Sequence, residues 1–259
     1  MIDEPYRWVE AISNRREYIE NELAPGSPTL GISFSDGILL LTFGRDRKKI
    51  YEIYDRIAMG AIGHPGDIER LRMTALELAS AEGFTRSAND VSLRRMATYA
   101  FSPALKQAFE QIYGAPYLAR ILFAELGDTQ EGDLFVRLDY DGSMHANSMN
   151  VGKRRENFGA IAGTRRGLEH AERVLSKAKI TNLRSALEAA VRAWGAGLYS
   201  ASEETPDAPE ENALKEFVKM RLDEYTVEAA LLQRSGAGSH AAFVEVPESD
   251  LEAVLAKFR

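Results

Sequence analysis

Residues 26–63, GSPTLGISFSDGILLLTFGRDRKKIYEIYDRIAMGAIG, constrain the fold of this chain more than any other stretch. Thr29–Phe34 and residues 38–43 are short, apolar and partly alternating. They are joined at Ser35-Asp36-Gly37, where Asp and Gly tolerate the dihedrals of a tight hairpin. Ile50–Tyr54 carries aromatic and β-branched residues at alternate positions, and residues 57–62 are small and apolar, with glycines that let another layer approach closely. The expectation is a meander of four strands at the core of one sheet, which must then be covered by further layers.

Helical patterns surround this sheet. Ahead of it, residues 5–23 place Trp8, Ile12, Ile19 and Leu23 on one stripe, with Arg15, Arg16, Glu17 and Glu20 on the opposite charged face, and Pro25-Gly26 ends the helix. After it, Asp67 is placed to cap a helix bearing Ile68, Leu71, Ala75, Leu78 and Ala79 that ends near Gly83. A second helix runs from Asn89-Asp90 to about Tyr113, with Val91, Leu93, Met96, Tyr99, Ala100, Leu105 and Phe109 along it and a bend at Pro103. Strands follow at 117–125, 133–139, 143–147 and 158–163. Thr164 then caps a helix to about Ala178, and Thr181-Asn182 begin one that reaches Gly195 with Leu183, Leu187, Ala190, Val191 and Trp194 inward. Residues 200–212, SASEETPDAPEEN, read as an acidic solvated loop, and 213–222 extend it as a short helix. A last hairpin pairs 225–233 with 241–246 around Gly236-Ala237-Gly238, and Pro247 begins a terminal helix.

Charge and composition exclude several functions. A net charge of −7 argues against nucleic acid, so Lys153-Arg154-Arg155 and Arg165-Arg166 read as solvated or intersubunit charges. No cysteine is present, and the dispersed His64, His145, His170 and His240 suggest no ligand set, so neither a metal nor a cofactor is expected. No apolar run approaches the roughly 20 residues that span a bilayer, and the reading is a cytoplasmic protein with no membrane partner.

The 26–63 stretch resembles the proteasome α subunit: a helix, a linker ending in Gly-Ser, a Leu-Gly-Ile strand, an Asp-Gly turn, a second apolar strand and a Lys-Ile segment follow in that order. Pro5-Tyr6 and Tyr54-Asp55-Arg56 are similar to the bacterial, actinobacterial-like type, with a shortened loop before the latter. The resemblance implies an α+β fold, the four-layer αββα sandwich of N-terminal-nucleophile hydrolases. It is expected to form one domain over 1–259, with a gate segment and helix at 1–24.

A catalytic member of that superfamily needs a Thr, Ser or Cys freed at its mature N-terminus and a group that eases proton removal. The resemblance places Ser27 at the nucleophile position. Pro28 follows it, Phe43 stands where the acidic partner belongs, and residues 44–49 form a loop too short to present the catalytic lysine. The competing hydroxyl, Thr29, falls inside a strand. The implied protein is therefore noncatalytic: a gating subunit of probable heptameric rings that stacks on proteasome β subunits and docks a ring-shaped activator such as an ATPase. Lys49, Gly26 and His64 are the implied activator pocket, with Lys49 solvent-facing and its ammonium pairing with a terminal carboxylate. Met1, Ile2, Asp3, Glu4, Pro5, Tyr6 and Arg7 form the implied gate, and the helix bearing Trp8, Ile12, Ile19 and Leu23 makes ring contacts. The alternatives are a catalytic Ser or Thr N-terminal-nucleophile hydrolase (or β-like peptidase) and a homo-oligomer that has lost its protease partners.

Overall fold

The structure, a computed structural model, describes residues 4–45, 47–111, 113–147, 156–202, 209–234 and 242–259, without the side chains of residues 4–6, 201 and 202. Two five-stranded antiparallel sheets lie face to face. The first has the order β10-β9-β2-β1-β8, formed by β1 (Thr29–Phe34), β2 (Gly37–Gly44), β8 (Phe158–Ile161), β9 (Thr226–Gln233) and β10 (Phe243–Glu245). The second has the order β3-β4-β5-β6-β7, formed by β3 (Ile50–Tyr54), β4 (Ile57–Gly63), β5 (Ala119–Glu125), β6 (Leu134–Leu138) and β7 (Met144–Ala146). The first four strands thus do not make one meander. Residues of β2 and β4 are buried on both faces, and a pattern apolar on both faces fits stacking as well as side-by-side pairing. The chain crosses between sheets after Gly44, so that Ile38 and Leu40 pack against Ile50, Ala58 and Ile62 through the middle of the sandwich.

Alternation along each strand divides the apolar residues among three interfaces. Leu30, Ile32, Leu39, Leu41 and Phe43 turn outward onto α5 (Arg165–Lys177), α6 (Leu183–Ser202), α7 (Glu211–Leu222) and α8 (Glu248–Leu255). Ile57, Met59, Ile121 and Phe123 face α2 (Pro65–Thr85), α3 (Leu93–Met96) and α4 (Ser102–Glu110). Between the sheets the ring of Phe135 sits on Gly31 and Gly159, where a Cβ would lie 2.6 Å from its Cε1 and 2.8 Å from its Cβ. The αββα sandwich read from the sequence is the fold observed.

Several local expectations change. His64, not Asp67, caps α2: its Nδ1 accepts from the Gly66 N–H at 3.2 Å, Pro65 occupies the first turn, and Asp67 Oδ2 instead accepts from the Leu118 N–H at 2.9 Å. The helix expected to bend at Pro103 is interrupted before it by a π turn at Ala97–Phe101, while Pro103 starts α4, where its missing N–H is no loss. That extra residue shifts the helical phase and turns Tyr99 outward, 79% exposed. Helix α6 continues to Ser202 and α7 begins at Glu211, so both ends of the acidic segment are helical, while 203–208 lie outside the described residues. The turn at 236–238, the basic 153–155 run and Met1, Ile2 and Asp3 also lie outside them. Helix α1 (Glu4–Leu23) begins early enough that Glu4, Pro5, Tyr6 and Arg7 belong to its first turns.

The charged face of α1 is not simply solvated. Ile19 and Leu23 are buried against Phe109 and Tyr140, Ile12 packs at the edge, and Trp8 is 41% exposed. Arg15 donates to the carbonyls of Phe109 (2.8 Å) and Gly114 (3.2 Å), satisfying oxygens at the C-terminal end of α4. Arg16 bridges to Asp141 at 3.2 Å and lies 5.3 Å from the Phe109 ring centre. Both oxygens of Glu20 accept from Nη2 of the buried Arg120 at 2.7 Å, a charge-assisted pair. Arg120 also donates to Asp139 and to the carbonyls of Ala162 and Gly163, so it ties α1 to the ends of both sheets. Burial, followed by the bond to Glu20, pushes the Tyr140 phenol up.

A second, partly buried arginine closes the opposite end. Arg234, at the end of β9, donates to both oxygens of Asp133 (3.0 and 2.9 Å), and Asp133 also accepts from Ser33 Oγ at 2.7 Å and the Gly127 N–H at 2.9 Å. Asp133 is 1% exposed, so losing its cation leaves a buried charge. Arg234→Met is therefore expected to lower unfolding free energy by about 3–5 kcal/mol in denaturant titration, with partial recovery when Asp133→Asn is added. A loss below about 1 kcal/mol would show that this pair does not hold the sheets together.

Candidate functional site

Helix α1 hands the chain to β1 through Pro25, Gly26, Ser27 and Pro28. The Gly26 N–H closes the helix on Leu23 O at 2.8 Å, and a Cβ at Gly26 would stand 2.1 Å from Ile62 Cγ2, so only glycine lets this linker lie on β4. Ser27 is 3% exposed, and its Oγ accepts from Trp194 Nε1 at 2.8 Å. Trp194 comes from α6 and stacks on Phe43 with ring centres 4.0 Å apart and planes 29° apart, while Tyr225 meets its edge at 5.8 Å. An indole N–H only donates, so the group that touches the Ser27 hydroxyl cannot take its proton. Thr29 is fully buried, its Oγ1 has no hydrogen-bond partner among the described residues, and its methyl lies over Gly60.

Lys49 stands at the start of β3, and its carbonyl accepts from the Ala61 N–H at 3.1 Å. Its own N–H donates to Glu228 Oε2 at 2.8 Å, and the next N–H, of Ile50, donates to Oε1 at 2.9 Å. The side chain is half-buried, and among the described residues Nζ has one long hydrogen bond, to Phe43 O at 3.5 Å. Burial lowers the Lys49 amine to about 8, against the opposing pull of Glu228. Lys49 is thus not the solvent-facing lysine expected from the sequence, because β9 brings Glu228 against the start of β3. Lys48 is the exposed one, with Nζ 3.5 Å from Glu245.

The three residues read as a pocket converge on one short piece of β4. Lys49 pairs with Ala61, Gly26 packs on Ile62, and His64 follows two residues later. The imidazole of His64 is directed to its own helix as the cap of α2. Glu228 and the contact of Trp194 with Ser27 were missed by the sequence reading, although a single charge inside TVEAALLQ signals a half-buried carboxylate with a backbone to satisfy. At the far end of β3 a separate concavity of about 690 Å³ is lined by Tyr54, Arg56, Arg94 and Glu125, among others. Its Glu125, raised by burial, is bonded to the Leu93 N–H and its Arg56 to Asp128, so these groups are already committed. Among the described residues no group of His, Asp or Glu is placed to hold a metal, and no helix is long and apolar enough to cross a membrane.

A buried ammonium with a depressed pKa destabilises the fold wherever it must stay charged. The unfolded chain binds more protons than the folded one between about 8 and the ordinary 10.5, so stability attributable to Lys49 rises with pH through that window. Lys49→Met is expected to raise the unfolding free energy near pH 7 by at most about 3 kcal/mol, at about 1.4 kcal/mol per pKa unit, with the gain fading above pH 10. Melting curves at pH 7, 9 and 10.5 check this; a gain independent of pH would mean that apolar packing, not the charge, is responsible.

A family model described as proteasome subunit matches residues 24–166. The proteasome subunit alpha of Acidothermus cellulolyticus is 35% identical over 137 residues, covering 52% of this chain and 58% of the relative. The proteins of the same name from Streptomyces avermitilis and Frankia alni are 34% and 32% identical over 137 residues, covering 52% of this chain and 54% and 56% of theirs. The aligned region thus spans little more than half the length of these relatives. The family match takes in the linker, the first four strands, both arginine-bound turns and the start of α5, more than half of the chain, and on that ground the chain belongs to the proteasome subunit family.

Proposed function

We propose that this protein is a noncatalytic α-type subunit of a bacterial 20S proteasome, forming outer rings that stack on β subunits, gate substrate admission and dock an activator. The observation that carries this reading is the occupied nucleophile position. Ser27 is buried, an indole N–H faces its oxygen, and Phe43 fills the acid's place by stacking on that indole. The names of the similar actinobacterial proteins support the same reading. Helix α1, with Trp8 and Val9 exposed on its surface, fits a ring contact, and its first turns, from Glu4 to Arg7, form the end from which a gate would extend.

The docking reading rests on Lys49 with Gly26 and His64. A half-buried ammonium that has no carboxylate within bridging distance among the described residues is suited to a carboxylate brought by a partner, such as the C-terminus of an activator's tail. Gly26 keeps the linker low on β4 beside it.

Two outcomes are expected. The purified protein keeps residues 5–23 by intact mass and shows no peptidase activity alone; cleavage before Ser27, with activity lost in Ser27→Ala, would establish the hydrolase alternative instead. Lys49→Ala lowers affinity of the assembled ring for a carboxylate-terminated activator peptide at least about 30-fold, since truncating one member of a desolvated charge pair removes roughly 2–5 kcal/mol of binding. Lys48→Ala, at an exposed pair worth about 0–1 kcal/mol, serves as the control. Equal effects of the two variants would remove the docking assignment and leave the family assignment standing.

A further inference from the structure

Glu228 lies outside the region shared with the family model, on a strand that belongs to the other sheet from Lys49. Its side chain crosses the mouth of the sandwich and takes the two successive N–H groups of Lys49 and Ile50, one on each oxygen, at 2.8 and 2.9 Å. Burial pushes the Glu228 carboxyl up, and the two N–H donors oppose that by favouring the ionised carboxylate. Both oxygens face backbone donors, so the carboxylate fixes where β3 begins and lies beside the Lys49 side chain without closing on Nζ. A direct Lys49–Glu228 bridge would compete with an incoming carboxylate; a carboxylate held by the backbone leaves the ammonium open while its charge still favours the protonated amine.

We propose that Glu228 is the positioning residue of the docking lysine, holding Lys49 in place and in its charged form so that a partner's terminal carboxylate is recognised by the pair rather than by Lys49 alone. This rests on the docking reading above. The lowered value of the Lys49 amine, about 8, is consistent with a site that needs such help near neutral pH. Other charged groups around the pair are few. Lys48 is next in the chain and held by Glu245 of β10, and Tyr51 of β3 feels Glu228 while Glu69 and Arg72 of α2 reach it. Arg45, after β2, pairs with Glu224 at 3.6 Å, and β2 offers the carbonyl of Phe43. None of these replaces Glu228 at the Lys49 amide.

The test uses assembled rings and a fluorescent peptide ending in Leu-Tyr-Ala with a free carboxylate, titrated from pH 6.5 to 9.5, with the C-terminal amide of the same peptide as control. In the wild type, carboxylate-dependent binding falls as pH rises through about 8, as Lys49 loses its proton. Glu228→Gln is expected to move that midpoint down by about one pH unit and so to weaken binding at pH 7.5 about threefold, and Glu228→Asp, which keeps the charge, to restore the midpoint. In parallel, the acetylation rate of Lys49 by acetic anhydride, read by mass spectrometry across the same pH range, reports the amine without any peptide. A Glu228→Gln variant with unchanged midpoints in both measurements would overturn the proposal and leave only a structural hydrogen bond. If Lys49→Ala binds the carboxylate peptide as well as wild type while the acetylation midpoint still shifts with Glu228→Gln, the docking reading fails and the coupling of Glu228 to Lys49 stands.

Discussion

Two arginines, Arg120 buried and Arg234 partly so, hold the sandwich together at opposite ends, and most of the rest is arranged between them. A sandwich of two sheets is apolar through its middle, but at its ends turns and linkers leave carbonyls and carboxylates that need donors where water is scarce. Arg120 supplies six bonds at the α1 end, to Glu20, Asp139 and the carbonyls before α5, while Arg234 clamps Asp133 at the hairpin end. Arg234 meets Asp133 with two nitrogens on two oxygens, a planar fork that a lysine could not match, while Arg120 spreads its three nitrogens over two carboxylates and two carbonyls. Between them the interior contracts onto small residues, with Phe135 seated on two glycines.

This arrangement ties the N-terminal helix to the site beneath it. Glu20 is three residues before Leu23, whose carbonyl closes the turn at Gly26, and Gly26 lies on Ile62 beside the strand that pairs with Lys49. A load on α1 is therefore felt through Arg120 and the linker at the start of β3. The connection uses short links and hydrogen-bonded charges rather than a loose hinge.

The fold was largely legible because strand alternation, turn chemistry and N-caps are local signals. The runs at 29–34 and 50–54 and the Thr164 cap stand as read. The partition of strands between sheets was not legible, since residues buried on both faces fit pairing and stacking equally. The π turn before Pro103 was hidden for a related reason: an added residue in a helix leaves no compositional trace. At the site, Gly26 and Lys49 came from resemblance, but the burial of Lys49 depends on Glu228, 179 residues away, and no local pattern carries that pairing.

The stack of Trp194 on Phe43 over Ser27 also bears on how such a chain can change over evolutionary time. Exchanging Phe43 for an acid in one step would press a carboxylate against an indole face in a dry core, and exchanging Trp194 first would open a large void under Ser27. Either intermediate is less stable than both the present protein and a hypothetical active one. Any route from this arrangement to an acid at position 43 thus crosses a valley in stability, and the aromatic pair acts as a ratchet that makes the present packing hard to reverse.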